Sequence, residues 1–351
     1  MRTHVPIIGI SMGDPAGIGP EIAAKALSSP QVYDLCRPLI VGDAQVMEQA
    51  VGIVGTGLKV NPIQSIAEAR FSPGTADVWD LGNVDVHSLQ LGQVSAHAGK
   101  AAFEAVKKVI ELALTGEVHA TVTGPINKEA INLAGFNYAG HTEIFAEFTH
   151  TKDYTMMLVH EHLRVVHVST HVALRQACDL VTKERVLKTI RLADQALKDM
   201  GLHNARIGVA GLNPHASDGG LFGREETEEI QPAVAAAQAL GINAEGPIPP
   251  DTLFSKAWGG QYDAVVAMYH DQGHIPIKVL GFRYSEQERK WMSVQGVNIT
   301  LGLPIIRVSV DHGTAYDQAG RGTASAESLL AAIEYASQLA QRRLEEEGAK
   351  G

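Results

Sequence analysis

Three histidines share one setting. His171, His215 and His270 each follow, within a few residues, a short apolar run rich in Val, Ile and Ala. Proteins built on parallel strands bind ligands just past the carboxyl ends of those strands. Three imidazoles collected there, with coordination positions left open, make a catalytic metal site rather than a closed structural one. Nitrogen donors favour zinc, cobalt, nickel or iron over magnesium. Asp271, next to His270, would orient the ring from outside or act as a further ligand. The opposing reading is plain packing: the chain has 15 histidines, and any one of them is more often half-buried structure than a ligand. The shared strand-end position is what singles out these three. A competing pair, His270 and His274, has the H-x-x-x-H spacing that binds zinc on a helix. Gly273 and Pro276 speak against a regular helix there, so residues 269–278 are expected to form a loop.

A second constellation is cationic and polar: His141, Thr142, Lys278, Asn298 and Arg307. Arg307 lies in a strongly apolar run, where a charge is costly unless paired. A salt bridge or a strand edge facing water would account for it. So would a phosphate or carboxylate site, which an Arg forks and a Lys meets as a point charge. Asp251, Asp311 and His312 are candidates to face the same pocket.

The elements that must position these groups alternate between strand-like and helix-like runs. Residues 5–11, 38–41, 76–81, 121–123, 205–210, 263–268 and 305–310 read as buried strands. Residues 95–115, 182–200, 224–240 and 324–346 have helical spacing. Asp43 and the pair Asp251 and Thr252 are placed to cap helices. Residues 155–159 and 163–170 flank His160, Glu161 and His162 as a hairpin. Residues 283–290 read as an exposed excursion. The alternation argues an α/β chain with mainly parallel sheets. The glycine-rich loop at 12–21, MGDPAGIGPE, joins strand to helix and can offer amides to an anion. Its spacing is neither a dinucleotide fingerprint nor a P-loop, and a plain tight turn explains it equally well.

The bulk numbers set limits. At 351 residues the chain is long enough for about two domains. A net charge of −10 without a dense basic cluster argues against a nucleic-acid partner. Two distant cysteines, Cys36 and Cys178, suggest free thiols in a reducing cytoplasm. The early apolar run is too short to span a membrane and lacks a signal-peptide pattern.

Eight stretches taken together resemble the 4-hydroxythreonine-4-phosphate dehydrogenase family. They are MGDPAGIGPE (12–21), TGPINK (123–128), GHTE (140–143), LNPHASDGGLFGREE (212–226), GPIPPDTLF (246–254), YHDQGHIPIK (269–278), GVNITLGLPIIRVSVDHGTA (296–315) and AGRGTA (319–324). The family includes the vitamin B6 biosynthetic enzyme and relatives acting on D-threonate or D-erythronate 4-phosphate. His274 and Ile275, where the biosynthetic enzymes tend to have leucine and then proline, and the long segment 282–295 both point to the sugar-acid subgroup.

The resemblance implies two α/β/α domains with mainly parallel sheets and a cleft between them, isocitrate/isopropylmalate dehydrogenase-like, with boundaries at 1–135 plus 311–351 and 136–310. It implies metal ligands His171, His215 and His270 for one divalent ion (zinc, cobalt, manganese or magnesium) where two subunits of a homodimer meet. Substrate binding falls to His141, Thr142, Lys278, Asn298 and Arg307. Lys278, His141 and Asp251 are the catalytic candidates. NAD would bind without a Rossmann fingerprint, with Asn298, Thr300, Leu301 and Gly302 in a loop at 298–304. The activity so implied is oxidation of a 4-phosphorylated 3-hydroxy acid followed by decarboxylation, giving dihydroxyacetone phosphate from D-threonate or D-erythronate 4-phosphate. The alternatives are the vitamin B6 reaction and, from another class, a metal-dependent hydrolase of a phosphorylated small molecule.

Overall fold

The computed structural model describes residues 5–286, 290–294 and 296–350. Its strands, in chain order, are β1 (Ile7–Ser11), β2 (Arg37–Gly42), β3 (Lys59–Ile63), β4 (Thr75–Asp80), β5 (Ala120–Thr123), β6 (Thr155–His160) and β7 (Leu163–His167). There follow β8 (Ile207–Ala210), β9 (Ala244–Ile248), β10 (Ala264–Ala267), β11 (Phe282–Ser285), β12 (Lys290–Val294), β13 (Val297–Leu301) and β14 (Arg307–Val310). The α/β class with mainly parallel strands is what the alternation of runs implied.

The chain divides into two compact units, residues 1–152 with 303–351, and residues 153–302. The resemblance placed these boundaries at 135 and 310. The helix His141–Phe148 buries Ile144 and Phe145 in the first unit's core, and β14 pairs with β5, which assigns both flanking stretches to that unit.

In the first unit the strands run in the order β3, β4, β2, β1, β5, β14, all parallel. Every residue of β1 and β5 is buried, as strands covered on both faces must be. The helix Ala96–Leu114 covers one face with Phe103, Val106, Val109 and Ile110. The Ser95 hydroxyl accepts the Ala98 amide, and the Asp43 carboxylate accepts those of Gln45 and Val46, satisfying donors that a helix start leaves open. The expected loop at Asn127–Lys128 is instead a cap and a start: Asn127 accepts the Ala130 amide, and the helix Lys128–Leu133 begins.

In the second unit the order is β13, β6, β7, β10, β8, β9. β13 and β7 flank β6 antiparallel, and β7, β10, β8 and β9 run parallel. The hairpin turn at Glu161–His162 stands as expected, with Glu161 at φ 51. Three readings are corrected. Residues 270–278 are not a loop but open the helix His270–Gly281, with Pro276 inside it. Pro276 cannot donate and would cost an isolated helix about 3 kcal/mol. Packing of the buried residues Gln272, Gly273, His274 and Ile277 against the sheet overrides that propensity. The supposed excursion at 283–290 contains β11 and the start of β12, an antiparallel pair; residues 287–289, and Gln295 of the long segment 282–295, lie outside the described residues. Asp251 and Thr252 do not cap: the helix Pro250–Trp258 starts before them, with Pro249 at its cap and Asp251 in its first turn. Among the described residues no helix is long and apolar enough to cross a membrane. Cys36 and Cys178 are free thiols.

Candidate functional site

The second unit places the three histidines at the ends of neighbouring strands. β7, β10 and β8 lie side by side. Their register sets Ala267 opposite His167 and Val266 opposite Val209, so the three strands stop level with one another. His171, His270 and His215 follow those ends after four, three and five residues. The rings of His171 and His270 approach to 5.7 Å between centroids. His270 Nδ1 meets Asp271 Oδ1 at 2.6 Å, the outer carboxylate contact that orients an imidazole and leaves Nε2 for another partner.

His215 arrives on an unusual backbone. His215, Ala216, Ser217 and Asp218 all have positive φ, between 44° and 70°. Non-glycine residues adopt this left-handed region at a cost of order 1–2 kcal/mol each. Buried Glu226 holds the turn, its two carboxylate oxygens accepting the Asn213 amide at 2.7 Å and the Asn213 side-chain amide at 2.9 Å. Ser217 closes it onto the Gly223 carbonyl. Glu226 was not singled out from the sequence. The signal was there in the motif 212–226, which carries Asn213 and Glu226 on one ligand-bearing turn.

The residues fit a divalent cation in type: three neutral-capable imidazoles with a carboxylate behind one of them. Among the described residues, no group of three or more His, Cys, Asp or Glu side chains forms a metal-holding set.

Behind His270 stand two more imidazoles. The His274 ring lies parallel to that of His270 at 3.6 Å, and His167 follows at 4.7 Å. His274 Nδ1 also meets the His270 carbonyl at 2.9 Å. Burial pushes the His274 imidazole down to about 4, against that hydrogen bond. Burial, and then the neighbouring His274 and His270, hold His167 well below the usual range. His167 was missed because it lies within a strand, where an apolar pattern hides a single histidine.

The other second-unit candidates sit on two elements. Lys278 is half-buried on the helix His270–Gly281, and Asp251 is exposed. The expected nucleotide loop at 298–304 is mostly strand: Asn298, Thr300 and Leu301 belong to β13, paired with β6, and only Gly302 onward leaves the sheet. Asn298 Oδ1 is buried and has no hydrogen-bond partner among the described residues.

The first unit gathers His141, Thr142 and Arg307. Arg307 is 3% exposed and donates to Thr142 Oγ1 at 3.3 Å and Thr123 Oγ1 at 3.2 Å, with its guanidinium 5.4 Å from the Phe145 ring centre. Burial lowers its pKa to about 10, against the pull of Glu143. No strand-edge exposure explains it. His141 opens the helix His141–Phe148. Burial first, then the charges of Arg307 and Lys128, hold its imidazole well below the usual range, against a hydrogen bond to the Gly124 backbone. Its Nε2 is inaccessible and has no hydrogen-bond partner among the described residues. Burial and the two neighbouring cations thus favour the neutral form of this imidazole. The Asp311 amide donates to the Ser328 hydroxyl, and His312 meets the Gly313 carbonyl.

The loop at 12–21 spends five of its amides inside the first unit. The amides of Met12, Asp14, Ala16, Gly17 and Ile18 donate to Val41, Pro125, the Asp14 carboxylate, Asp14 and Thr314. Glu21, also buried, accepts the amides of Gly320 and Gly322.

Comparison with known proteins agrees with this fold and these motifs. A Symbiobacterium thermophilum protein provisionally named D-threonate 4-phosphate dehydrogenase is 51% identical, the match covering 93% of this chain and 95% of that one. A Salmonella typhi protein of the same provisional name is 50% identical, over 95% and 98%. The crystal structure of a 4-hydroxythreonine-4-phosphate dehydrogenase from Klebsiella pneumoniae matches with a TM-score of 0.86 at 46% identity, covering 96% of this chain and 98% of that one. The fold and its relatives define an α/β oxidoreductase of the dehydrogenase class. The chain belongs to the family described as pyridoxal phosphate biosynthetic protein PdxA, which matches residues 34–336. The resemblance carried by the eight motifs is borne out.

Proposed function

We propose that the protein oxidises a four-carbon 4-phosphorylated 3-hydroxy acid with NAD and then decarboxylates it, with D-threonate or D-erythronate 4-phosphate giving dihydroxyacetone phosphate. The observation that carries the chemistry is the level ending of β7, β10 and β8 beneath His171, His270 and His215. The substrate class follows the names of the relatives at 50–51% identity.

In this reading C3 loses hydride to NAD and its hydroxyl proton to a base, leaving a β-keto acid. The bond from C1 to C2 then breaks, carbon dioxide departs, and C2 takes a proton. A divalent cation held by His171, His215 and His270 would supply Lewis-acid stabilisation of negative charge on the substrate oxygens. Arg307, set by Thr142 and Thr123, is a preformed fork for the phosphate. Asn298, with its open Oδ1, and Lys278 and Thr142 complete the polar contacts. His141 and Lys278 are the candidates for proton transfer or phosphate contact. Asp251, exposed in a first helical turn, keeps a lesser part. Thr300 and Leu301 are buried in β13, so nucleotide contact falls to Gly302 and Asn298.

The partner is a second copy of the chain. Exposed large apolar residues follow each of the three histidines: Leu174 after His171, Leu221 and Phe222 after His215, Ile275 and Val279 after His270. Apolar surface around a polar centre is the usual mark of an association face. It accounts for a donor set left open within one chain.

A second reading is oxidation of 4-phosphohydroxythreonine, favoured by the name of the Klebsiella pneumoniae structure. The test is NADH formation with D-threonate 4-phosphate, D-erythronate 4-phosphate and 4-phosphohydroxythreonine, each before and after chelation and metal restoration. A sugar acid as the best substrate, with activity lost on chelation and regained with metal, is expected. Preference for the amino acid would replace the first reading by the second, and full activity after chelation would remove the metal from it.

A further inference from the structure

We propose that His274 is a positioning residue: it fixes the ring plane of His270 by stacking on it, and so sets where His270 Nε2 points. The inference rests on the metal site proposed above.

His270 is about one-third exposed, and an imidazole's second torsion is a broad, soft one. Left alone, the ring would sweep a range of directions. Two contacts restrict it. Asp271 takes Nδ1 from one side. His274, one helical turn on, covers the ring face at 3.6 Å and 10° from parallel. Residues four apart on a helix share a face, so the stack follows from the helix that Gly273 and Pro276 argued against.

His274 is itself held. It is 8% exposed, is tied to the His270 carbonyl through Nδ1, and rests on His167. His167 is 1% exposed in β7. Gly273 is what lets the helix settle there, because a side chain at that position would run into His167 Nε2 and Val165 Cγ1. An aliphatic residue would fill the place of His274 without the cost of burying a polar ring. A flat ring does what an aliphatic chain cannot: it offers a plane for another plane to lie on. Any influence of position 274 on substrate choice would then pass through the direction of His270.

The experiment uses metal-free full-length protein, wild type, H274F and H274Q, titrated with cobalt(II) or zinc(II) against a chromogenic chelator, with Tm measured for each. H274F keeps the ring plane and loses the hydrogen bond; H274Q keeps a donor toward the His270 carbonyl and loses the plane. Metal affinity in H274Q is expected to fall about 10–100-fold, the usual effect of removing an outer partner, with kcat recovering at saturating metal. H274F is expected to stay close to wild type. Equal affinity in wild type and H274Q, or a loss in H274F as large as in H274Q, overturns the positioning role, as does a fall in Tm with affinity unchanged. A wild-type chain that binds neither metal overturns the metal reading instead, so the two failures are told apart.

Discussion

Arg307 reaches Thr142 across the first unit, from the start of β14 to the first turn of the helix His141–Phe148, and donates to its hydroxyl at 3.3 Å. Thr123 Oγ1 accepts from the other arm at 3.2 Å. A hydroxyl orients the guanidinium without neutralising it, as the proposed anion site requires. Replacing Arg307 by Lys keeps the charge and loses the fork. R307K should raise KM for the phosphorylated substrate by about 10–100-fold, the equivalent of about 1.5–3 kcal/mol for a charged hydrogen bond. R307M should lose the same binding, together with the hydrogen bonds to Thr142 and Thr123. Steady-state kinetics beside thermal melts check both, and an unchanged KM in R307K would take Arg307 out of the anion site.

His141 should make the fold sensitive to mild acid. Its folded pKa lies below the usual imidazole value of 6.5, so the unfolded chain binds the proton more readily. The stability it contributes is present above pH 6.5 and is lost as pH falls toward the folded value. Urea melts of wild type and H141N at about pH 7.5 and about pH 5 should therefore show a smaller acid loss in H141N. Equal losses would show that His141 titrates normally.

Asp14 has the opposite sign. Burial raises its pKa, against hydrogen bonds from Tyr316 and the Ala16 amide. Its contribution is full below the unfolded value of 3.8 and is lost as pH rises through the folded one. D14N, which cannot ionise, should cost the fold less at about pH 7 than at about pH 4. Y316F should cost about 1–3 kcal/mol at neutral pH by leaving a buried carboxylate oxygen unmet. A D14N penalty that grows toward neutral pH, followed by denaturant titration, would reverse the assignment.

Gly273 is where helix and sheet come nearest. G273A should lower stability by about 1–3 kcal/mol through overpacking against His167 and Val165. It should also lower activity, because the displaced turn begins with His270. Chevron-free equilibrium melts and initial rates are sufficient; a G273A protein as stable and as active as wild type would mean the helix start has room to give.

The apolar residues beside the histidines should govern assembly. L221D and V279D each place a charge on a surface proposed to be covered in a homodimer. Sedimentation should show a dimer for wild type and a monomer for each variant, with activity lost in parallel. Unchanged assembly in both would move the interface elsewhere.

Much of the scaffold was legible in the sequence because its signals are local. Buried strands such as β1 and β10 are continuous apolar runs, and Asp43 stands directly before its helix. The position of three histidines after such runs was legible for the same reason. What the residues did not disclose is which strands are neighbours. That β10 lies between β7 and β8 depends on pairings across 100 and 57 residues of chain.

Other elements were hidden because packing overrode propensity. β3, with Pro62 in it and only Ile63 fully buried, is a strand only because β4 pairs with it from one side. The helix His270–Gly281 carries two residues that argue against it, and is decided by Ile277 and His274 being buried. Glu226 and His167 look unremarkable in a one-dimensional reading, since each acts on a residue brought near by a turn or a sheet.

The interrupted first unit bears on how the protein is made. β5 ends at Thr123, yet β14, which must lie beside it, begins at Arg307. At ribosomal speeds of about 5–20 residues per second, the flank of β5 waits roughly 10–40 s for its neighbour. All of residues 153–302 emerge during that interval. The nascent chain thus completes its later half first, while its earlier half carries an open strand edge of the kind that recruits foreign chains. Slow synthesis or shortage of chaperones would be felt at β5 before anywhere near the histidines.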